Sequence, residues 1–251
     1  LHHAIEQSCD VYFYELAMRL GIDTMHEWLS GFGLGSVTGI GIGNEHAGLV
    51  PSREWKRTAF RRREDRVWFP GETVIAGIGQ GYMLSTPVQL ARATAVLAAR
   101  GERYAPRLVQ AVRNPVTDEM EPTPTLPLPA VAASDAAWHE VRSAMRAVVH
   151  GTYGTARAIG RDSPYEIGGK SGTAQVFTVA QDEEYEEDEL QERLRDHAWF
   201  VAFAPYDDPL VAVAVIVENG GSGSSVAAPV ARAVLDALLL PEKGVGTVAG
   251  Q

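Results

Sequence analysis

Gly168-Gly169-Lys170-Ser171-Gly172-Thr173-Ala174 is the stretch that decides how this chain is read. A lysine stands at the start of an expected strand over 170–177, flanked by residues with little or no side chain. Small neighbours let a substrate backbone approach closely. The lysine supplies positive charge, and Ser171 and Thr173 supply hydroxyls suited to holding a carboxylate. The Thr173 N–H is placed to serve as half of an oxyanion hole. Gly-Lys-Ser also occurs in phosphate-binding loops, but those need a glycine at position 164 and a helix after the motif. Position 164 is Pro164, and Ala174-Gln175-Val176-Phe177 reads as strand, which argues against a nucleotide loop.

Working outward, 198–204 and 210–218 are two further β-rich runs. Asp207-Asp208-Pro209 is the turn that pairs them as a hairpin. Valine at 211, 213, 215 and 217, with alanines and Ile216 between them, predicts a strand covered on both faces. Helices are expected from Thr86-Pro87 to Gly101, from Ser134 to Gly151, and from about Val226 to Leu240. Ile5, Phe13, Leu16, Ala17 and Leu20 predict a helix that is already under way at the first residues and stops at Gly21. The fold class is therefore α/β (α+β): an antiparallel sheet with helices on both faces.

Residues 31–48 read as glycine-rich connections, and the prolines at 115–129 predict a surface excursion without regular structure. Arg61-Arg62-Arg63, with the nearby Lys56 and Arg57, reads as a solvated loop. The acidic run 182–189 reads as a charged hairpin loop and lacks the ligand alternation of a calcium site.

The 251 residues carry a net charge of −10, which disfavours nucleic acid, and the single cysteine, Cys9, excludes an intrachain disulfide. Mean hydropathy is −0.09, and no apolar run has the length of a membrane span.

The second chemical element is Ser8-Cys9-Asp10. A lone Ser-x-Asp is by default polar decoration on a helix. Set beside the lysine strand, its serine and carboxylate become candidates for relaying a proton. Together, Ser8-Cys9-Asp10 and Lys170-Ser171-Gly172 resemble the second and third motifs of the penicillin-binding proteins and serine β-lactamases. Leu49–Lys56, Gly77–Tyr82, Thr86–Leu90, Arg193–His197, Ala204–Tyr206 and Glu218–Gly221 are similar to the elongation-type class B members, the penicillin-binding protein 2 family. The likeness runs from about Leu1 to Leu240. It implies the C-terminal portion of a transpeptidase domain over 1–240, with an added helical subdomain, and a tail at 241–251. Gly77–Gly81 superficially suggests a dinucleotide loop but reads as a structural turn near the active-site floor.

The resemblance further implies a peptidoglycan D,D-transpeptidase acting in cell elongation through a serine acyl-enzyme. Ser8 and Lys170 would shuttle protons and Asp10 would orient them. Ser171, Gly172 and Thr173 would bind substrate. Implied partners are peptidoglycan stem peptides, β-lactams, an elongation glycosyltransferase and other elongation-complex proteins. The implied location is the periplasmic face of the inner membrane, with the anchor outside these residues.

Alternatives on the same fold are a D-Ala-D-Ala carboxypeptidase, a β-lactamase, or a penicillin-sensing domain without turnover. The family's first motif, Ser-x-x-Lys, is missing. The three lysines, Lys56, Lys170 and Lys243, follow Arg53, Ile167 and Leu240 at that spacing. Truncation is the expected reason, and the fragment alone is expected to be inactive. No cofactor is expected. Cys9 reads as a small buried packing residue, with zinc held through Cys9 as the alternative.

Overall fold

The computed structural model describes residues 1–176 and 195–240. Phe177, the acidic run, Arg193, Leu194 and the tail 241–251 lie outside the described residues. In chain order the helices are α1 (His2–Glu6), α2 (Asp10–Leu20), α3 (Ile22–Gly31), α4 (Arg53–Ala59), α5 (Pro70–Ala76) and α6 (Pro87–Ala98). Short strands β1 (Arg103–Tyr104), β2 (Ala111–Arg113), β3 (Met120–Pro122) and β4 (Pro127–Leu128) follow. Then come α7 (Asp135–His150), α8 (Arg157–Gly160), β5 (Gly168–Ala174), β6 (His197–Ala204), β7 (Val211–Val217) and α9 (Ala228–Leu239).

The main sheet has the order β5-β6-β7 and is antiparallel throughout. The expected hairpin is β6–β7, joined through 205–210. Phe200 and Phe203 lie on opposite faces of β6, and both are fully buried. Burial on both faces is the fate of a layered sheet: α7 packs on β5, while α6 and α9 pack on β6 and β7. Helices α2, α3 and α5 form a helical part beside this layer, and α1 joins it to α7.

The expected helix starts hold because each cap satisfies an orphan N–H. The Thr86 Oγ1 accepts from Gln89 N–H at 3.3 Å, and the Ser134 Oγ accepts from Ala137 N–H at 3.2 Å. Gly151 ends α7 as expected, and the last helix is preceded by a π-helical turn over Gly223–Ala227.

Three expectations are corrected. The first helix is two helices, broken at Ser8, whose φ of 56° is left-handed. The proline-rich excursion is exposed, but Pro122 and Pro127 sit in short two-stranded ladders, opposite Ala111 and Tyr104. A two-stranded ribbon consists of edges, and an edge strand tolerates a residue without an N–H. Arg61-Arg62-Arg63 is exposed as expected, whereas the Lys56 side chain is only 3% exposed. Its ammonium is paired with Glu72 and lies 5.2–5.8 Å from the ring centroids of Phe60, Trp68, Phe69 and Tyr82. A carboxylate and four aromatic faces replace its water.

Candidate active site

The two motifs, 162 residues apart in sequence, meet in space. Lys170 Nζ donates to Ser8 Oγ at 2.7 Å and to the Ser171 carbonyl at 2.7 Å. The break between α1 and α2 makes this contact. Ser8 N–H donates to the Ile5 carbonyl and Cys9 N–H to the Ala4 carbonyl, closing α1. The left-handed backbone at Ser8, a conformation costing roughly 1–2 kcal/mol for a residue with a side chain, then turns the chain into α2. An unbroken helix would keep Ser8 on the ordinary helical register. Burial lowers the Lys170 pKa from 10.5 to about 8, opposed by the negative charge of Asp10. Asp10 stands in the first turn of α2 and lines the same cleft. Among the described residues no hydrogen bond joins it to Ser8 or Lys170.

The cleft has a volume of about 670 Å³. Ser8, Asp10, Lys170, Ser171, Gly172 and Thr173 all line it, so every predicted site residue reaches one space. Phe13, Tyr14, Ile75 and Ile78 give it an apolar wall.

Two polar contacts at the cleft lie outside the sequence reading. Thr155 Oγ1 and Ser171 Oγ are 3.2 Å apart, and Gln80 Nε2 donates to the Thr173 carbonyl at 2.8 Å. Gln80 is the one polar side chain in the glycine run 77–81, a signal that was available. Thr155 carries no local pattern, since its position follows from the packing of the 151–155 loop. That loop is held by Glu6: Tyr153 N–H donates to the buried Glu6 carboxylate at 3.0 Å, and Thr155 N–H to the Glu6 carbonyl at 3.4 Å.

The glycines of the lysine motif have a different origin from the one expected. A Cβ on Gly168 would lie 2.4 Å from Phe203 Cζ, and one on Gly169 would lie 2.7 Å from Phe200 Cζ. These two glycines make room for aromatic rings of β6 rather than for a ligand. At Gly172 a Cβ would meet only Trp199 Cβ, at 3.4 Å, an ordinary contact. Gly172 alone of the three lines the cleft.

Cys9 is exposed, which corrects the expectation of a packing residue. As the N-cap of α2 it lies between helices, while Ala4, Ile5 and Ala17 supply the buried contacts. The described residues do not supply the other ligands that zinc at Cys9 would need. Among the described residues no group of three His, Cys, Asp or Glu side chains could hold a metal ion, and His3 Nδ1 is engaged with Glu6 at 3.1 Å.

The site is thus an edge strand carrying a lysine bonded to a serine from a helix junction, over a cleft with polar and apolar walls. The penicillin-binding protein transpeptidase domain matches residues 1–236. The chain is 44% identical over 239 residues to the peptidoglycan D,D-transpeptidase MrdA of Haemophilus influenzae, covering 94% of this chain and 36% of that protein. It is 38% identical over 237 residues to MrdA of Escherichia coli K12, with coverages of 94% and 36%. The structure superposes on Pseudomonas aeruginosa PBP2 in complex with WCK 5153 with a TM-score of 0.81. The identity there is 47%, over 97% of this chain and 50% of that one. PBP2 of Helicobacter pylori, in its complex with MreC, gives 0.75 at 28% identity, over 95% of this chain and 40% of that one. This chain belongs to the penicillin-binding protein transpeptidase domain family. It spans about a third of the length of the curated relatives it matches.

Proposed function

We propose that this chain is the C-terminal portion, residues 1–240, of an elongation-type peptidoglycan D,D-transpeptidase, with 241–251 as its tail. The observation that carries this reading is the 2.7 Å hydrogen bond from Lys170 to Ser8. It joins a lysine already biased toward deprotonation to a hydroxyl able to pass a proton on. Ser-x-x-Lys is not among these 251 residues, so the reading requires a nucleophilic serine from sequence outside them.

That serine would attack the carbonyl of the D-Ala-D-Ala bond, form an ester and release D-Ala. An amine from a second stem peptide would then displace the serine and form the cross-link. Ser8 and Lys170 would carry the proton between nucleophile and leaving amine, and Asp10 would set the charge on Lys170. Ser171 and Thr173 would hold the terminal carboxylate, Gly172 would let the peptide lie close, and the Thr173 N–H would face the developing oxyanion. β-Lactams would acylate the same serine.

Relatives' assemblies supply the partner proposals: an MreC-type protein, and the polymerising enzyme of a peptidoglycan synthase complex. Placement at the periplasmic face of the inner membrane belongs to the same proposal. No helix among the described residues is long and apolar enough to cross a membrane.

A fluorescent penicillin tests the reading. The full-length protein should become covalently labelled and residues 1–251 alone should not. Ser8→Ala in the full-length protein should slow labelling about 10- to 100-fold, the worth of one hydrogen bond to a charged group. An unlabelled full-length protein would sink the transpeptidase reading, and a labelled 1–251 chain would refute the external nucleophile.

A further inference from the structure

Strand β5 stands at the end of the sheet order, so the side turned away from β6 pairs with no strand among the described residues. In an antiparallel ladder the N–H and C=O of one residue point to the same side, and successive residues alternate. The Ser171 carbonyl accepts from Lys170 Nζ and the Thr173 carbonyl accepts from Gln80 Nε2, both from the cleft. The backbone groups of Ser171 and Thr173 therefore face the cleft.

An extended peptide laid along such an edge takes a strand carbonyl with one of its own N–H groups. At Thr173 that acceptor is already occupied. The occupant is a carboxamide N–H, chemically close to a peptide N–H. Gln80 lies between Gly79 (φ 78°) and Gly81 (φ 70°), and its backbone N–H is tied to the Ile75 carbonyl at 3.1 Å. The turn thus holds the side chain over the edge. The Gln80–Thr173 bond itself is solvent-exposed, so water or a ligand can replace it at small cost.

We propose that Gln80 is a displaceable cap on the substrate-binding edge of β5, standing in for the N–H of an acyl-donor peptide and discriminating ligands by whether they bring that N–H. This inference rests on the proposed function. A ligand with an amide N–H in register must evict Gln80 to reach the Thr173 carbonyl. A ligand without one leaves the cap in place and loses nothing when the cap is removed.

The test compares two β-lactams on the full-length protein by stopped-flow acylation. One is a penicillin with an acylamino N–H, the other a carbapenem with a hydroxyethyl group in its place. Gln80→Ala should raise the second-order acylation constant for the penicillin about 3- to 10-fold, the worth of one net hydrogen bond, and leave the carbapenem constant within about twofold. Gln80→Met, of similar length without a donor, should change the penicillin constant in the same direction. It decides the matter if the alanine variant melts lower than the parent. A fall in the penicillin constant would make Gln80 a ligand-binding group rather than a cap, and equal changes for both drugs would make it a structural tie. Either result overturns the proposal. Failure of both drugs to acylate the unaltered protein would instead overturn the proposed function, and the cap with it.

Discussion

Gly168→Ala isolates the reason for the glycines before Lys170. The added Cβ would stand 2.4 Å from Phe203 Cζ and 2.5 Å from Phe203 Cε1, against the roughly 3.5–4.0 Å at which carbon atoms rest. Phe203 has no room to retreat. It is fully buried, stacks on Tyr206 at 6.1 Å between centroids, and has the Arg142 guanidinium 5.5 Å from its ring centre. Overpacking of this kind costs about 1–3 kcal/mol, and a rigid neighbour places it toward the upper end. For a domain of this size that corresponds to a fall in melting temperature of about 5–10 °C. Gly172→Ala is the matched control. Its Cβ meets Trp199 Cβ at an ordinary 3.4 Å, so melting should stay within about 0.5 kcal/mol of the parent while β-lactam acylation falls. Thermal unfolding followed by tryptophan fluorescence reads both variants. Combining Gly168→Ala with Phe203→Leu should show a favourable coupling of about 1 kcal/mol or more, because shortening the ring removes the clash. Unchanged melting of Gly168→Ala, or additivity with Phe203→Leu, would refute the packing account and return Gly168 to a ligand-access role.

Two further outcomes follow from buried charge. The folded-state Lys170 pKa of about 8 lies below its unfolded value of 10.5, so the folded chain binds fewer protons across that window and stability climbs with pH there. Below about pH 8 the penalty is fully present, roughly 3 kcal/mol, and it vanishes by the unfolded pKa. Lys170→Met should abolish this climb in denaturant titrations, and a parent stability flat across that window would contradict the assignment. Glu72 pairs with the buried Lys56, accepts from Tyr82 at 3.2 Å and receives the Phe69 N–H at the start of α5 at 2.8 Å. Glu72→Ala should cost about 3–5 kcal/mol by stranding an ammonium among aromatic rings, while Lys56→Met with Glu72→Leu should recover most of it. Equal losses in the single and double variants would show that the ion pair is not the source.

Local pattern in the sequence was enough for the elements whose register is set by neighbours along the chain. The valines at 211–217 announce a strand covered on both sides, and Thr86 and Ser134 announce helix starts because a cap hydroxyl acts within three residues. The six candidate residues that line the cleft come from two short stretches, Ser8-Cys9-Asp10 and Lys170-Ser171-Gly172-Thr173, which is why local pattern could single them out. Two misread features depended on distant partners. Lys56 resembled the solvated arginines beside it until Glu72 and four rings enclosed it. Gly168 and Gly169 looked like ligand access until Phe203 and Phe200 of β6 were laid across them.

The amino-acid sequence by itself determined which chemical groups are available and on what kind of element each sits. Those properties depend on backbone preference and on residues a few positions apart. Only the tertiary structure decided that Ser8 leaves helical geometry to meet Lys170, that Thr155 touches Ser171, and that Gln80 covers the Thr173 carbonyl. These contacts span 162, 16 and 93 residues. Contacts at such separations are fixed by how layers pack, a property of the whole chain that no local spacing encodes.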